Sequence, residues 1–216
     1  MKYFFNINPK HKSHNLQALN FLNNSHFKIG VMGGSFNPAH EGHLTISLYA
    51  LKKYKFDYII WLVAKQNPFK PMYEKNIFTR TDDAKKFVKY HPKIIISTAE
   101  NDLQETQTYY VLKYLIEKFK TTKFTWIMGV DNISHFKKWD RSNEIRKLCN
   151  ILVFDRPCKE RMVNLLTLYN NEENFGSKHN PYAMRLIRSK LLNISSTYLR
   201  TQNNDNQQRR IEEFYN

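Results

Sequence analysis

The sequence predicts an α/β protein: a doubly wound parallel sheet with flanking helices, in a single domain. Three observations predict it. Short, continuous apolar runs recur along the chain, as strands covered on both faces require. Segments with helical spacing of apolar residues lie between them, and that alternation is the β-α-β pattern. At 216 residues and 41% hydrophobic content, the chain can bury one sizeable core, and it contains no internal repeat or dividing linker.

In chain order, residues 1–26 are polar and Asn-rich, with only "LQALNFL" helically spaced, so they read as an N-terminal extension. "FKIGVM" (27–32) predicts a buried strand, "GHLTISLYALKKY" (42–54) an amphipathic helix and "YIIWLVA" (58–64) a second strand. "IFTRTDDAKKFVKY" (77–90) predicts a helix, "KIIIST" (93–98) a strand, and "TYYVLKYLIEKF" (108–119) a helix. "KFTWIMG" (123–129) predicts a strand, "NEIRKL" (143–148) a helix and "NILVFD" (150–155) a strand. The domain is expected to run over 27–200, and 201–216 form a tail for which a helix is one reading. Ligands of such sheets bind beyond the carboxyl ends of the strands, where the winding reverses. The loops to inspect are therefore 33–42, 65–76, 99–108 and 129–141.

A net charge of +15 implies attraction to nucleic acid or to phosphorylated small molecules. Lys outnumbers Arg 24 to 10, however, while Asn is abundant and Ala scarce, which AT-rich coding would also produce. Charge alone therefore selects no partner. Cys149 and Cys158 lack metal-ligand spacing and further partners, so neither a zinc site nor a disulfide framework is expected. No apolar run approaches the roughly 20 residues of a membrane span, and 1–26 lack a secretory apolar stretch. The expectation is a soluble, cytoplasmic protein that does not engage a membrane.

The stretch "VMGGSFNPAHEGHL" (31–44) carries the chemistry. A strand that runs through Gly33, Gly34 and Ser35 into a helix suits an anion: glycines admit close approach, and free N–H groups at the helix start point at the ligand. It lacks the Gly-Lys-Ser/Thr of a P-loop and the dinucleotide fingerprint. His40 and His43, three residues apart, place both imidazoles on nearly one helical face, with Gly42 between them.

"GGSFNPAHEGHL" resembles the His-x-Gly-His signature of the nucleotidylyltransferase superfamily. "NPFKP" (67–71), "IMGVDNISHFKKW" (127–139), "FDRP" (154–157) and "ISSTYLR" (194–200) follow in order and resemble the successive motifs of bacterial nicotinate-nucleotide adenylyltransferases. The resemblance covers about residues 28–200 and implies a Rossmann-like fold. The implied activity is adenylyl transfer from ATP to nicotinate mononucleotide, with Mg²⁺ bound through the ATP phosphates. Implied partners are ATP and a pyridine mononucleotide, and no nucleic acid.

Residue by residue, the resemblance implies that Gly34, Ser35 and Phe36 line the phosphate turn and that His40 and His43 donate to the triphosphate. Ser196, Thr197 and Arg200 match a second phosphate-holding element. Asp131 is implied to bind nucleotide hydroxyls or the base, Arg156 to lie near adenine, and Lys70 to meet the mononucleotide phosphate. Tyr109, Tyr110 and Trp139 are implied to face the pyridine. Two departures stand out. Asn67-Pro68-Phe69-Lys70 replaces a common Pro-Pro-His-Lys, and Tyr109-Tyr110 replaces a common Tyr-Thr. The alternatives are a related nucleotidylyltransferase acting on nicotinamide mononucleotide or phosphopantetheine, a cytidylyltransferase, and an inactive basic nucleic-acid-binding protein on the same fold.

Overall fold

The computed structural model describes residues 16–23, 26–65, 75–154 and 184–187. Its strands β1 (Lys28–Gly34), β2 (Tyr58–Val63), β3 (Ile94–Ser97), β4 (Lys123–Gly129), β5 (Asn150–Phe154) and β6 (Met184–Ile187) form one six-stranded sheet, ordered β3-β2-β1-β4-β5-β6. Every pairing is parallel. Val31 of the central β1 lies between Ile60 of β2 and Trp126 of β4. Strands run outward from β1 in one direction and from β4 in the other, so the winding reverses between them, as the doubly wound reading expects.

Among the described residues the α-helices are α1 (Glu41–Tyr54), α2 (Ile77–Phe87), α3 (Ala99–Asp102), α4 (Thr108–Lys118), α5 (Ile133–Phe136) and α6 (Ser142–Leu148). Side chains alternate across a strand, and β2 shows the result. Ile60 and Leu62 join a core with Val111, Leu115 and Ile145, while Ile59, Trp61 and Val63 join another with Leu44, Ala50 and Ala84. Thus α4 and α6 cover one face, and α1 and α2 cover the other. Each fully buried Leu, Ile or Val contributes about 1.5–3 kcal/mol against exposure.

Differences from the sequence expectation have local causes. Helix α2 ends at Phe87 rather than continuing to Tyr90, because Lys89 and Tyr90 adopt left-handed φ values of 48° and 55°. The expected loops 99–108 and 129–141 contain the single-turn helices α3 and α5. Strand β6 has only four residues, too few for periodicity to separate from its surroundings. The segment Leu16–Leu22 is a 3-10 helix whose Leu19 and Leu22 are fully buried in the α4/α6 core, with Leu16 packed against it. A 3-10 helix repeats every three residues, so these leucines share one face. The Leu16 amide donates to Asp102 Oδ2 at 2.7 Å, tying this helix to α3.

Candidate active site

The carboxyl ends of β1 and β4 form the rim at which the winding reverses, and the β1 turn leads from it into α1. Gly33 takes no left-handed φ here. A Cβ on it would overlap the Trp126 indole, so this glycine admits the ring of the neighbouring strand. A Cβ on Gly34 would meet Phe36 at 3.3 Å, a tight but not blocked approach. Phe36 supplies the left-handed bend, with φ 45°. Its buried ring stacks on Trp61 at 4.8 Å and 11°, so what it can offer a ligand is its backbone amide.

His40 is the N-cap of α1, and the two histidines cap one another. The Gly42 amide donates to His40 Nδ1 at 3.1 Å, and the His40 amide donates to His43 Nδ1 at 3.2 Å. A nitrogen that accepts from a backbone N–H carries no proton, so each imidazole is held as the tautomer with its proton on Nε2. Nε2 is then a donor, which is what an anion at the helix start requires. The two rings lie 3.8 Å apart, and Phe36 backs His43 at 4.7 Å. His40 is fully covered while His43 is half-buried, so His43 is the more accessible of the pair.

A buried relay fixes this end of α1. Trp61 Nε1 donates to Ser47 Oγ at 2.8 Å, and Ser47 Oγ donates to the His43 carbonyl at 2.8 Å. Beneath the turn lies Arg80, only 1% exposed. Its guanidinium donates to the carbonyls of Ser35 at 2.6 Å, Ala64 at 2.8 Å, Lys65 at 3.3 Å and Lys75 at 3.2 Å. One side chain therefore ties the turn after β1 to both described flanks of the β2–α2 connection. Glu100, also buried, accepts the Lys65 amide at 2.9 Å. Burial pushes its carboxyl up to about 8, against the lowering effect of the Lys65 hydrogen bond and of Arg80.

The sequence reading missed Arg80 and Glu100. A signal for Arg80 was present: it shares a helical stripe with the buried Ile77 and Ala84, and a cation on an apolar stripe needs a reason to be there. Cys149 is buried, and burial pushes its thiol up to about 12, so it is no nucleophile.

On the opposite wall, Asp131 is exposed on a 3-10 turn (Val130–Asn132) that directly follows β4. Trp139 is half-buried, its ring 6.2 Å from Trp126 and 5.4 Å from Phe136. Tyr109 and Tyr110 occupy the first turn of α4, with ring centroids 5.1 Å apart. The structure thus brings Gly34, Ser35, Phe36, His40 and His43 together at the β1 turn. It brings Tyr109 and Tyr110 beside the loop that holds Trp139, through Arg141. The expectations for Lys70, Arg156, Ser196, Thr197 and Arg200 lie outside the described residues.

The cytidylyltransferase-like family profile matches residues 31–202. A protein of Pelagibacter ubique named probable nicotinate-nucleotide adenylyltransferase is 38% identical over 182 residues, covering 84% of this chain and 96% of that one. A protein of Cereibacter sphaeroides with the same name is 36% identical over 129 residues, 60% of this chain and 69% of that one. Among solved structures, Plasmodium falciparum nicotinic acid mononucleotide adenylyltransferase complexed with NaAD superposes with a TM-score of 0.61 at 20% identity, covering 87% of this chain and 89% of that one. That last likeness is one of fold.

Proposed function

The chain belongs to the cytidylyltransferase-like family, among the nicotinate-nucleotide adenylyltransferases, and from this we propose that it joins ATP to nicotinate mononucleotide, giving deamido-NAD and pyrophosphate in NAD biosynthesis. The observation that carries the reading is the reciprocal histidine cap. It places an Nε2–H donor on the half-buried His43, backed by the fully covered His40, at the start of a helix beside the turn that leaves the central strand.

In this reaction an oxygen of the mononucleotide 5′-phosphate bonds to the α-phosphorus of ATP. The bond from that phosphorus to the bridging oxygen breaks, and pyrophosphate leaves with the electron pair. The attacking oxygen is already anionic, so no general base is required. Catalysis reduces to holding two anions in line and stabilising the charge that shifts onto the leaving group. His43 Nε2–H, steadied by His40, and the α1 amides act on that charge, with roughly half a positive charge from the helix. Arg80 serves at one remove, holding the Ser35 carbonyl so that the turn keeps its shape.

The remaining roles follow the motif match. Ser196, Thr197 and Arg200 hold the β- and γ-phosphates, Lys70 the mononucleotide phosphate, Asp131 the nucleoside hydroxyls or base, and Arg156 the adenine side. Tyr109, Tyr110 and Trp139 frame the pyridine. Mg²⁺ takes oxygen ligands, so the imidazole pair would not hold it; bound through the triphosphate, it would supply further positive charge to the leaving group. A biosynthetic role of this kind suits the cytoplasm. Among the described residues no helix is long and apolar enough to cross a membrane.

The test is pyrophosphate release from ATP with each of the two pyridine mononucleotides and with phosphopantetheine. The expected result is turnover with nicotinate mononucleotide that exceeds turnover with the amide. Turnover of phosphopantetheine alone would assign the chain to another branch of the family.

A further inference from the structure

Arg141 lies on the C-terminal rim of the sheet, in the connection from β4 to α6, and its backbone takes the left-handed conformation with φ 50° and ψ 38°. Its carbonyl accepts the Ile145 amide at 2.9 Å, which anchors it to the first turn of α6. The guanidinium lies over two aromatic rings, 5.2 Å from the centroid of Tyr109 and 5.6 Å from that of Tyr110. Nε donates to Tyr110 Oη at 3.2 Å, and Asp140 Oδ2 lies 3.9 Å from Nε. Both polar contacts are therefore made through Nε, and among the described residues Nη1 and Nη2 meet no acceptor. The guanidinium, on a side chain 48% exposed, rests on two rings and one hydroxyl with its two parallel donors uncommitted among the described residues, the geometry that takes a carboxylate bidentately.

Its position suits the second substrate. Helices α4 and α6 pack side by side on the sheet face opposite α1 and α2. The Arg141 cluster and the histidine cap therefore flank the reversal point from opposite faces. An in-line transfer with the triphosphate at the α1 turn leaves the mononucleotide on the α4/α6 side. Trp139, two residues before Arg141, adds an aromatic surface there.

We propose that Arg141, steadied by Tyr109 and Tyr110, binds the pyridine carboxylate of the mononucleotide and makes this chain prefer the acid to the amide. The inference rests on the function proposed above. The carboxamide offers a neutral oxygen and two N–H donors, so it can satisfy only part of a bidentate guanidinium and gains no charge pairing. Tyr110 in place of the more common Thr is then no loss, since its hydroxyl and ring hold the cation.

The experiment compares kcat/KM for nicotinate and nicotinamide mononucleotides, with ATP, in the wild type and in Arg141→Gln, Arg141→Lys and Tyr110→Phe. Arg141→Gln is expected to lower the acid-to-amide ratio by about tenfold to a hundredfold, mainly through the KM for the acid, with the KM for ATP little changed. Arg141→Lys should recover part of that ratio, as a point charge without the fork, and Tyr110→Phe should lower it by a smaller factor. Equal losses on both substrates would mean that Arg141 serves a group they share, such as the phosphate, and would overturn the proposal. So would an unchanged ratio. Failure of the wild type to use either mononucleotide would instead overturn the proposed function.

Discussion

Glu100 is a carboxylic acid placed under the site without access to water, and its titration reports directly on the architecture around the β2–α2 connection. Its folded-state value of about 8 exceeds the ordinary 4.5, so between these values the native protein holds a proton that the unfolded chain releases. The stability it contributes is present in full below pH 4.5 and is lost as pH rises towards 8. Each tenfold difference in proton affinity is worth roughly 1.4 kcal/mol, which makes the whole effect on the order of a few kcal/mol. Replacing Glu100 with Gln removes the titration but keeps an acceptor for the Lys65 amide. In urea unfolding, Glu100→Gln should match the wild type near pH 4, below the unfolded value, and exceed it near pH 8.5. A difference that does not vary with pH would show that Glu100 is already ionised in the folded protein. Residues of this kind were hard to read in the sequence. His40 and His43 announced themselves beside a glycine turn, whereas Glu100 only follows an apolar strand in a polar-looking "TAEND". What makes it special is burial, which no local pattern encodes.

Local pattern and tertiary context also part company in the elements. The helix α1 begins with a capping box made by two histidines, and the usual signature sought there is Ser or Thr followed by Glu or Gln. Its start was nevertheless legible to within one residue, from the amphipathic run that follows. The Leu16–Leu22 helix was legible only as a helically spaced stretch, because a polar, Asn-rich segment hides that its three leucines, at a spacing that suits a 3-10 helix better than an α-helix, are core residues. Their burial makes the segment part of the α4/α6 core. Leu22→Ala should therefore destabilise the protein by about 2–5 kcal/mol, the range for emptying a buried leucine site. Chemical denaturation checks this, and a loss below about 0.5 kcal/mol would mean that the 3-10 helix packs only loosely in solution.

For the whole molecule, the order of the strands was legible because each of the first five is a continuous apolar run, and a helical pattern follows each of the first four. The sequence could not show which neighbours they take, but the doubly wound topology implied a reversal point, and the structure puts it between β1 and β4. The proposed roles are all placed around that one reversal of the winding. It gathers the glycine turn and histidine cap on one side and the Tyr109, Tyr110 and Arg141 cluster on the other. The central claim is that His43 is a charge-stabilising donor and neither a base nor a nucleophile. The most direct measurement is the kcat of His43→Ala with saturating ATP and nicotinate mononucleotide, alongside its circular dichroism. Loss of one donor to the transferring phosphoryl should lower kcat by about 10²–10³. Loss of the cap should cost about 1 kcal/mol of stability and leave the fold in place. A folded His43→Ala protein with wild-type kcat would contradict the account.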